Sequence, residues 1–171
     1  SGGYGGGMHN WGLSSPALLN CTFINNSASD GGGMYNMSGS SPTLEDCAFV
    51  NNSAGSGAGM LNEASSSPVL VECVFSGNTA EFEGGGMMSV VESNPTLTGC
   101  AFTDNSADSG GGAMFNYESD PVLADCAFSG NSTNGNGGGI KNVVSSSPAF
   151  ENCTFTGNSA ESGGAMFSES A

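Results

Sequence analysis

The amino-acid sequence predicts an all-β solenoid, a single parallel β-helix of about six coils of 26–27 residues with three short strands per coil. Three observations lead there. The six cysteines Cys21, Cys47, Cys73, Cys100, Cys126 and Cys153 stand 26, 26, 27, 26 and 27 residues apart. The six prolines Pro16, Pro42, Pro68, Pro95, Pro121 and Pro148 keep the same intervals, each five residues ahead of a cysteine. Helical periodicity is absent, and Gly, Ser and Asn are poor helix formers. The repeat runs through residues 1–171 as one domain, with coils starting near Met8, Met34, Met60, Met87, Met114 and Ile140 and a partial coil from Met166.

Each coil opens on a Gly-rich run that ends at one of these Met or Ile residues, a corner followed by a strand. Period two puts Met34 and Asn36 inside and Tyr35 and Met37 outside. After the proline, Leu44 and Cys47 both suit the core although they are three apart, so the chain must bend at Glu45-Asp46, as at Thr98-Gly99, Ala124-Asp125 and Glu151-Asn152. The cysteine strand then places Cys and, two residues on, Phe23, Phe49, Phe75, Phe102, Phe128 or Phe155 inside. Asn25, Asn51, Gly77, Asp104, Gly130 and Gly157 follow, all residues that tolerate positive φ, and mark another corner. Stacked about 4.8 Å apart, such coils form parallel sheets around core ladders of Met, Leu, Cys, Phe and Ala. Asn26, Asn52, Asn78, Asn105, Asn131 and Asn158 stack at a corner, where their amides can bond along the column.

Composition alone points the other way. The chain has 29 Gly, 16 acidic residues against one Lys, a net charge of -15, and only 29 residues among Leu, Ile, Val and Phe. That balance belongs to disordered chains, yet disorder does not hold a register. One Lys and no Arg exclude nucleic acid and anionic lipid as partners, and no apolar stretch approaches the roughly 20 residues of a membrane-spanning helix, so this segment does not insert into a membrane. The chain starts at Ser1 without an initiator Met or signal pattern, the expectation being a processed product or a piece of something longer. Both ends fall in the Gly-Met segment without a cap, so each is expected to abut further repeats or a second copy of the chain in a filament.

The pair Gly111-Gly112-Ala113-Met114 and Phe128-Ser129-Gly130-Asn131, recurring from about residue 5 to 167, resembles the GGA(I/L/V) and FxxN repeats of the chlamydial polymorphic membrane protein family. Met for the usual aliphatic residue and frequent Gly for Ala are the departures. The resemblance implies a right-handed parallel β-helix of the pectin-lyase-like type, in agreement with the general hand of parallel crossovers. It also implies an extracellular, cell-surface setting.

Chemistry finds few footholds in these residues. The cysteines form neither C-x-x-C pairs nor a group with His9, the only histidine, so a free thiol ladder is expected rather than metal or redox work, and no cofactor. Sugar-acid enzymes of this architecture combine Asp clusters with Arg or Lys; here Lys141 stands alone and an anionic substrate meets a charge of -15, so no enzyme is expected. The acids Asp30, Glu81, Glu83, Asp108 and Glu161, and Glu45, Asp46, Glu72, Asp125 and Glu151, fall at two corners and read as solvated edges rather than Ca²⁺ sites.

Two outer faces remain. Outward of the methionine strand, Tyr35, Leu61, Met88, Phe115 and Phe167 lie in one column with His9 and Lys141, and Trp11, Met37 and Tyr117 lie in the next. Such a stripe suits stacking on glycans or packing against a protein surface. Outward of the cysteine strand stand Thr22, Ile24, Ala48, Val50, Val74, Ser76, Ala101, Thr103, Ala127, Ser129, Thr154 and Thr156, a charge-free array that resembles the flat faces of β-solenoid antifreeze proteins. The reading is therefore a rigid, non-enzymatic extracellular surface or fibre element, adhesive through its aromatic face. Ice binding through the cysteine-strand face is the alternative.

Overall fold

The structure, a computed structural model, describes residues 3–169. The chain winds into a parallel β-solenoid with four sheets along its length. The methionine sheet has seven strands, Met8–Trp11, Met34–Met37, Met60–Glu63, Met87–Val90, Met114–Tyr117, Ile140–Val143 and Met166–Glu169. The leucine sheet has six, from Ala17–Leu19 through Thr43–Glu45, Val69–Val71, Thr96–Thr98 and Val122–Ala124 to Ala149–Glu151. The phenylalanine sheet has six, from Thr22–Ile24 through Ala48–Val50, Val74–Ser76, Ala101–Thr103 and Ala127–Ser129 to Thr154–Thr156. Every pairing joins equivalent positions of successive coils, Met34 to Met60, Leu44 to Leu70, Phe49 to Phe75.

Three strands per coil is one too few for the middle of the molecule. A fourth, four-stranded sheet runs through Ser53–Ala54, Thr79–Ala80, Ser106–Ala107 and Ser132–Thr133. Two residues are too short to show a period, so nothing in the pattern separates this strand from the corner beside it. It carries the alanine ladder Ala54, Ala80 and Ala107, which with Ala58 forms a small apolar cluster of its own.

The main core is the expected set of columns: Met34, Met60, Met87, Met114 and Ile140; Leu44, Leu70, Leu97 and Leu123; Cys47, Cys73, Cys100 and Cys126; Phe49, Phe75, Phe102 and Phe128. The phenylalanine rings stack face to face, 4.6–4.9 Å between centroids and 3–7° between planes. Ring spacing thus equals the strand spacing of a sheet, so one packing solution repeats from coil to coil.

The corners divide into those the residues announce and one they do not. Asp46 bends at φ 52° after the leucine strand, and Asn51 at φ 52° after the phenylalanine strand. Gly31 and its equivalents hold φ between 58 and 73° ahead of the methionine strand. A further bend follows that strand, where Leu13, Ala64, Ser65, Val91, Glu92, Val144 and Ser145 take φ between 48 and 66°. Valine in this left-handed region is strained by its branched Cβ. The paired neighbours hold it there: Val91 N–H donates to Tyr117 at 3.1 Å and Glu92 N–H to Glu118 at 2.8 Å.

Candidate functional site

The outer face of the methionine sheet is a groove rather than an open stripe. Its far wall is the corner four residues before each methionine, where bridges link Tyr4 to Asp30, Asp30 to Ser56, Glu83 to Gly110, Gly110 to Asn136 and Asn136 to Ser162 into a ridge parallel to the coil axis. The column His9, Tyr35, Leu61, Met88, Phe115, Lys141 and Phe167, in strand register, makes the floor. Parity is as expected, with Met34 and its equivalents in the core. Exposure is not: Tyr35, Leu61 and Phe115 retain only 3, 5 and 7% of their surface. The ridge closes over them, a tertiary effect that strand periodicity cannot show. Met37, Met88 and Phe167 are half-buried, and the open rings are Trp11 at 66% and Tyr117 at 36%.

At the N-terminal end the groove widens to about 410 Å³, lined by Tyr4, Asp30, Tyr35, Met37, Ser56 and Leu61, with Glu63, Met88 and Val90 beyond. The Tyr35 ring stacks on His9 at 5.2 Å and lies 5.3 Å from Tyr4. Its hydroxyl donates to Glu63 Oε2. Burial and that bond to a carboxylate hold the Tyr35 phenol well above the usual tyrosine range. Burial, with the charge of Glu63 behind it, also raises the Asp30 carboxyl. Tyr4 escapes the sequence pattern because it precedes the first complete coil; only its place four residues before Met8, matching Asp30 before Met34, marks it.

The phenylalanine sheet presents the second face. Thr22, Ala48, Val74, Ala101, Ala127 and Thr154 form one in-register column, and Ile24, Val50, Ser76, Thr103, Ser129 and Thr156 the other. None is buried, and none carries a charge.

The cysteine ladder lies inside, all six thiols free. Each thiol donates to the carbonyl two residues before it, as Cys47 Sγ to Glu45 O at 3.3 Å, and from Cys47 onward also to a leucine carbonyl of the coil before, Cys47 to Leu18 at 3.7 Å. Burial raises the Cys47 and Cys153 thiols above their ordinary value, which keeps the nucleophilic thiolate scarce at those two positions. Among the described residues no three of His, Cys, Asp or Glu converge as a metal site, and of the corner acids Asp30 lines the groove.

A family model described as right handed beta helix region matches residues 1–87 and 72–171. The chain belongs to the right handed beta helix family. Comparison with curated proteins and with solved structures gave no match. This β-helix fold occurs in pectin-lyase-like enzymes and in non-enzymes, so what the protein does rests on its faces.

Proposed function

We propose that this β-helix is a non-enzymatic, extracellular surface or fibre element that adheres through the outer face of its methionine sheet. The observation that carries the reading is the groove. A row of aromatic and apolar side chains is fixed at strand spacing along the coil axis, with Tyr4, Trp11 and Tyr117 open at its margins. Rings presented on a rigid sheet lose little entropy on binding and offer flat apolar surface to a sugar ring or a partner protein. The resemblance to the repeats of chlamydial polymorphic membrane proteins supports a cell-surface setting, and end-to-end copies would extend the same groove. Composition, one Lys and no Arg against 16 acids, supports the non-enzymatic part of the reading.

The test is adhesion of the purified chain to cells and to a glycan array, with the triple variant Tyr4→Ala, Trp11→Ala and Tyr117→Ala beside it. Binding weakened at least about tenfold with the thermal midpoint unchanged is the expected result, since exposed aromatic anchors carry most contact energy. Unchanged binding overturns the reading.

A second reading rests on the phenylalanine sheet. Its two charge-free outer columns repeat at the 4.6–4.9 Å spacing of the rings beneath them, a regular lattice on which water could order. Ice binding predicts thermal hysteresis that disappears when Ala101, Thr103, Ala127 and Ser129 are replaced by Lys. Zero hysteresis in the unaltered chain removes it.

A further inference from the structure

The groove is occupied at one end by the protein's own ammonium and open at the other. Toward the C-terminal end, Lys141 folds across Gly110, where an added Cβ would collide with its Cδ. Its Nζ lies 5.5 Å from the centroid of the Phe115 ring and donates to the Ser109 carbonyl at 3.3 Å. An ammonium thus sits between a floor ring and the backbone of the ridge, an arrangement that cation–π attraction and a carbonyl acceptor both favour.

At the N-terminal end the same two walls face each other without such a group. The floor ring is Tyr35, in the column of Phe115, and the rim ring is Tyr4 on the ridge. Asp30 on the ridge and Glu63 on the sheet both line the opening, and the charge of Glu63 adds to the cost of ionising Asp30. Lys141 is the only Lys or Arg in the sequence and is engaged elsewhere. A cavity of about 410 Å³ with two carboxylates and two aromatic rings is therefore complementary to one organic cation.

We propose that the N-terminal end of the groove binds an alkylammonium group, with Asp30 and Glu63 as counter-charges and the Tyr4 and Tyr35 rings as its aromatic wall. A cation entering there replaces the repulsion of two carboxylates by two attractions, and takes the position relative to Tyr35 that Lys141 Nζ takes relative to Phe115. Specificity comes from charge and ring together: a neutral group of the same shape meets the rings but neutralises neither carboxylate. This names the ligand class of the adhesive groove and rests on that reading only for the biological setting.

Calorimetric titration of the full chain with choline, with Nα-acetyl-lysine methylamide and with 3,3-dimethylbutanol, the neutral isostere of choline, tests it. Binding of either cation, weakened at least about tenfold in the isostere and in the Asp30→Asn, Glu63→Gln double variant, is the expected result. Choline alone points to a headgroup as the natural source, the lysine amide to a protein side chain. Tyr4→Ala, at a ring that is mostly exposed, is a second variant that leaves the core intact and should weaken cation binding several-fold. Binding of the neutral alcohol as tight as choline, or no binding of either cation by a folded chain, overturns the proposal. Adhesion measured on the same samples keeps the two readings apart. Adhesion lost in the Tyr4, Trp11 and Tyr117 variant while neither cation binds the unaltered chain defeats the ligand class alone. Cation binding without adhesion defeats the adhesive role alone.

Discussion

Two columns of buried amides run along the coil, and they differ in completeness. Beside the phenylalanine sheet, Asn26, Asn52, Asn78, Asn105, Asn131 and Asn158 are unbroken, each Nδ2 donating to the next Oδ1 at 2.9–3.0 Å. From Asn52 onward each Oδ1 also accepts a backbone N–H, as Asn78 does from Asn52 at 3.0 Å, and each Nδ2 also reaches a phenylalanine carbonyl, as Asn78 reaches Phe49 at 2.9 Å. Inside the methionine sheet, the column Asn10, Asn36, Asn62, Ser89, Asn116, Asn142 and Ser168 is interrupted. Asn62 donates to Ser89 Oγ at 3.3 Å, and beyond the serine Asn116 Oδ1 has no partner. The bends repeat the contrast: only Asn, Asp and Gly take the positive φ after the phenylalanine strand, whereas after the methionine strand Gly12 and Gly39 share it with Leu13, Ser38, Ala64, Val91, Glu118 and Val144. A corner amide replaces sheet hydrogen bonds for the main chain; a strand amide only links side chains whose main chain is already paired. The first side is strict because several groups depend on each residue.

Breaking one link on each side measures that difference. Asn78→Ala removes the acceptor of Asn52 N–H and Nδ2 and the donor to Phe49 O and Asn105 Oδ1, leaving buried polar groups unpaired. A loss of about 3–5 kcal/mol is expected by chemical denaturation. Asn116→Ala severs a single link, to Asn142 at 2.8 Å, and removes the unpaired oxygen with it. Its cost should be about 1 kcal/mol. Equal losses at the two sites would refute the contrast.

Repairing the interruption is the converse. Ser89→Asn places an amide between the amides of Asn62 and Asn116, restoring a donor to Asn116 Oδ1 and a full-length acceptor for Asn62. A gain of about 1–2 kcal/mol, read as a raised thermal midpoint, is expected. A lowered midpoint would mean that the slot at Ser89 has closed and that serine fills it.

The strict side is also the side that was legible in the sequence. A residue on which the main chain depends must recur in every coil, so the Cys, Phe and Asn positions and the bend at Asn51 stand out by spacing alone. The bend after the methionine strand has Gly12 and Gly39 in the first two coils but Ala64, Val91 and Val144 later, because the register of adjacent coils imposes it on whatever residue is there. The fourth strand is two residues long and shows no alternation. The groove was half legible. Its floor column followed from parity, but the burial of Tyr35 depends on a ridge contributed by residues before the glycine run, and the fold of Lys141 over Phe115 depends on Gly110.

Relieving the strained bend gives a smaller effect. Val91→Asn keeps the N–H that bonds Tyr117 and exchanges a branched residue at φ 54° for one that tolerates it. Stability should rise by about 1 kcal/mol. Asn51→Val, the reverse exchange at the phenylalanine-side corner, should lose a similar amount. If the two exchanges moved stability in the same direction, the backbone would not be what distinguishes these corners.

The smallest expected effect lies on the ridge, where Asp30 is only part-buried and solvent screening limits what its charge can do. Its carboxyl is raised above the ordinary 3.8 by burial first and by Glu63 second, with the backbone bond from Ser56 opposing. A raised folded-state value means that protonation favours the fold. The contribution of Asp30 is fully present below the unfolded value and fades as pH climbs through the folded one, so at neutral pH the ionised group works against the structure. Tyr4, Tyr35 and Glu63 line the groove with it and Glu81 shares the depression on its other side; of the two carboxylates, Glu63 is the one whose charge raises Asp30. Asp30→Asn should therefore raise the thermal midpoint slightly at pH 7 and leave it unchanged near pH 3, where the acid is neutral in both states. A gain of equal size at both pH values would point to packing rather than charge, and a lowered midpoint at pH 7 would show that the carboxylate already has a cationic partner in the groove.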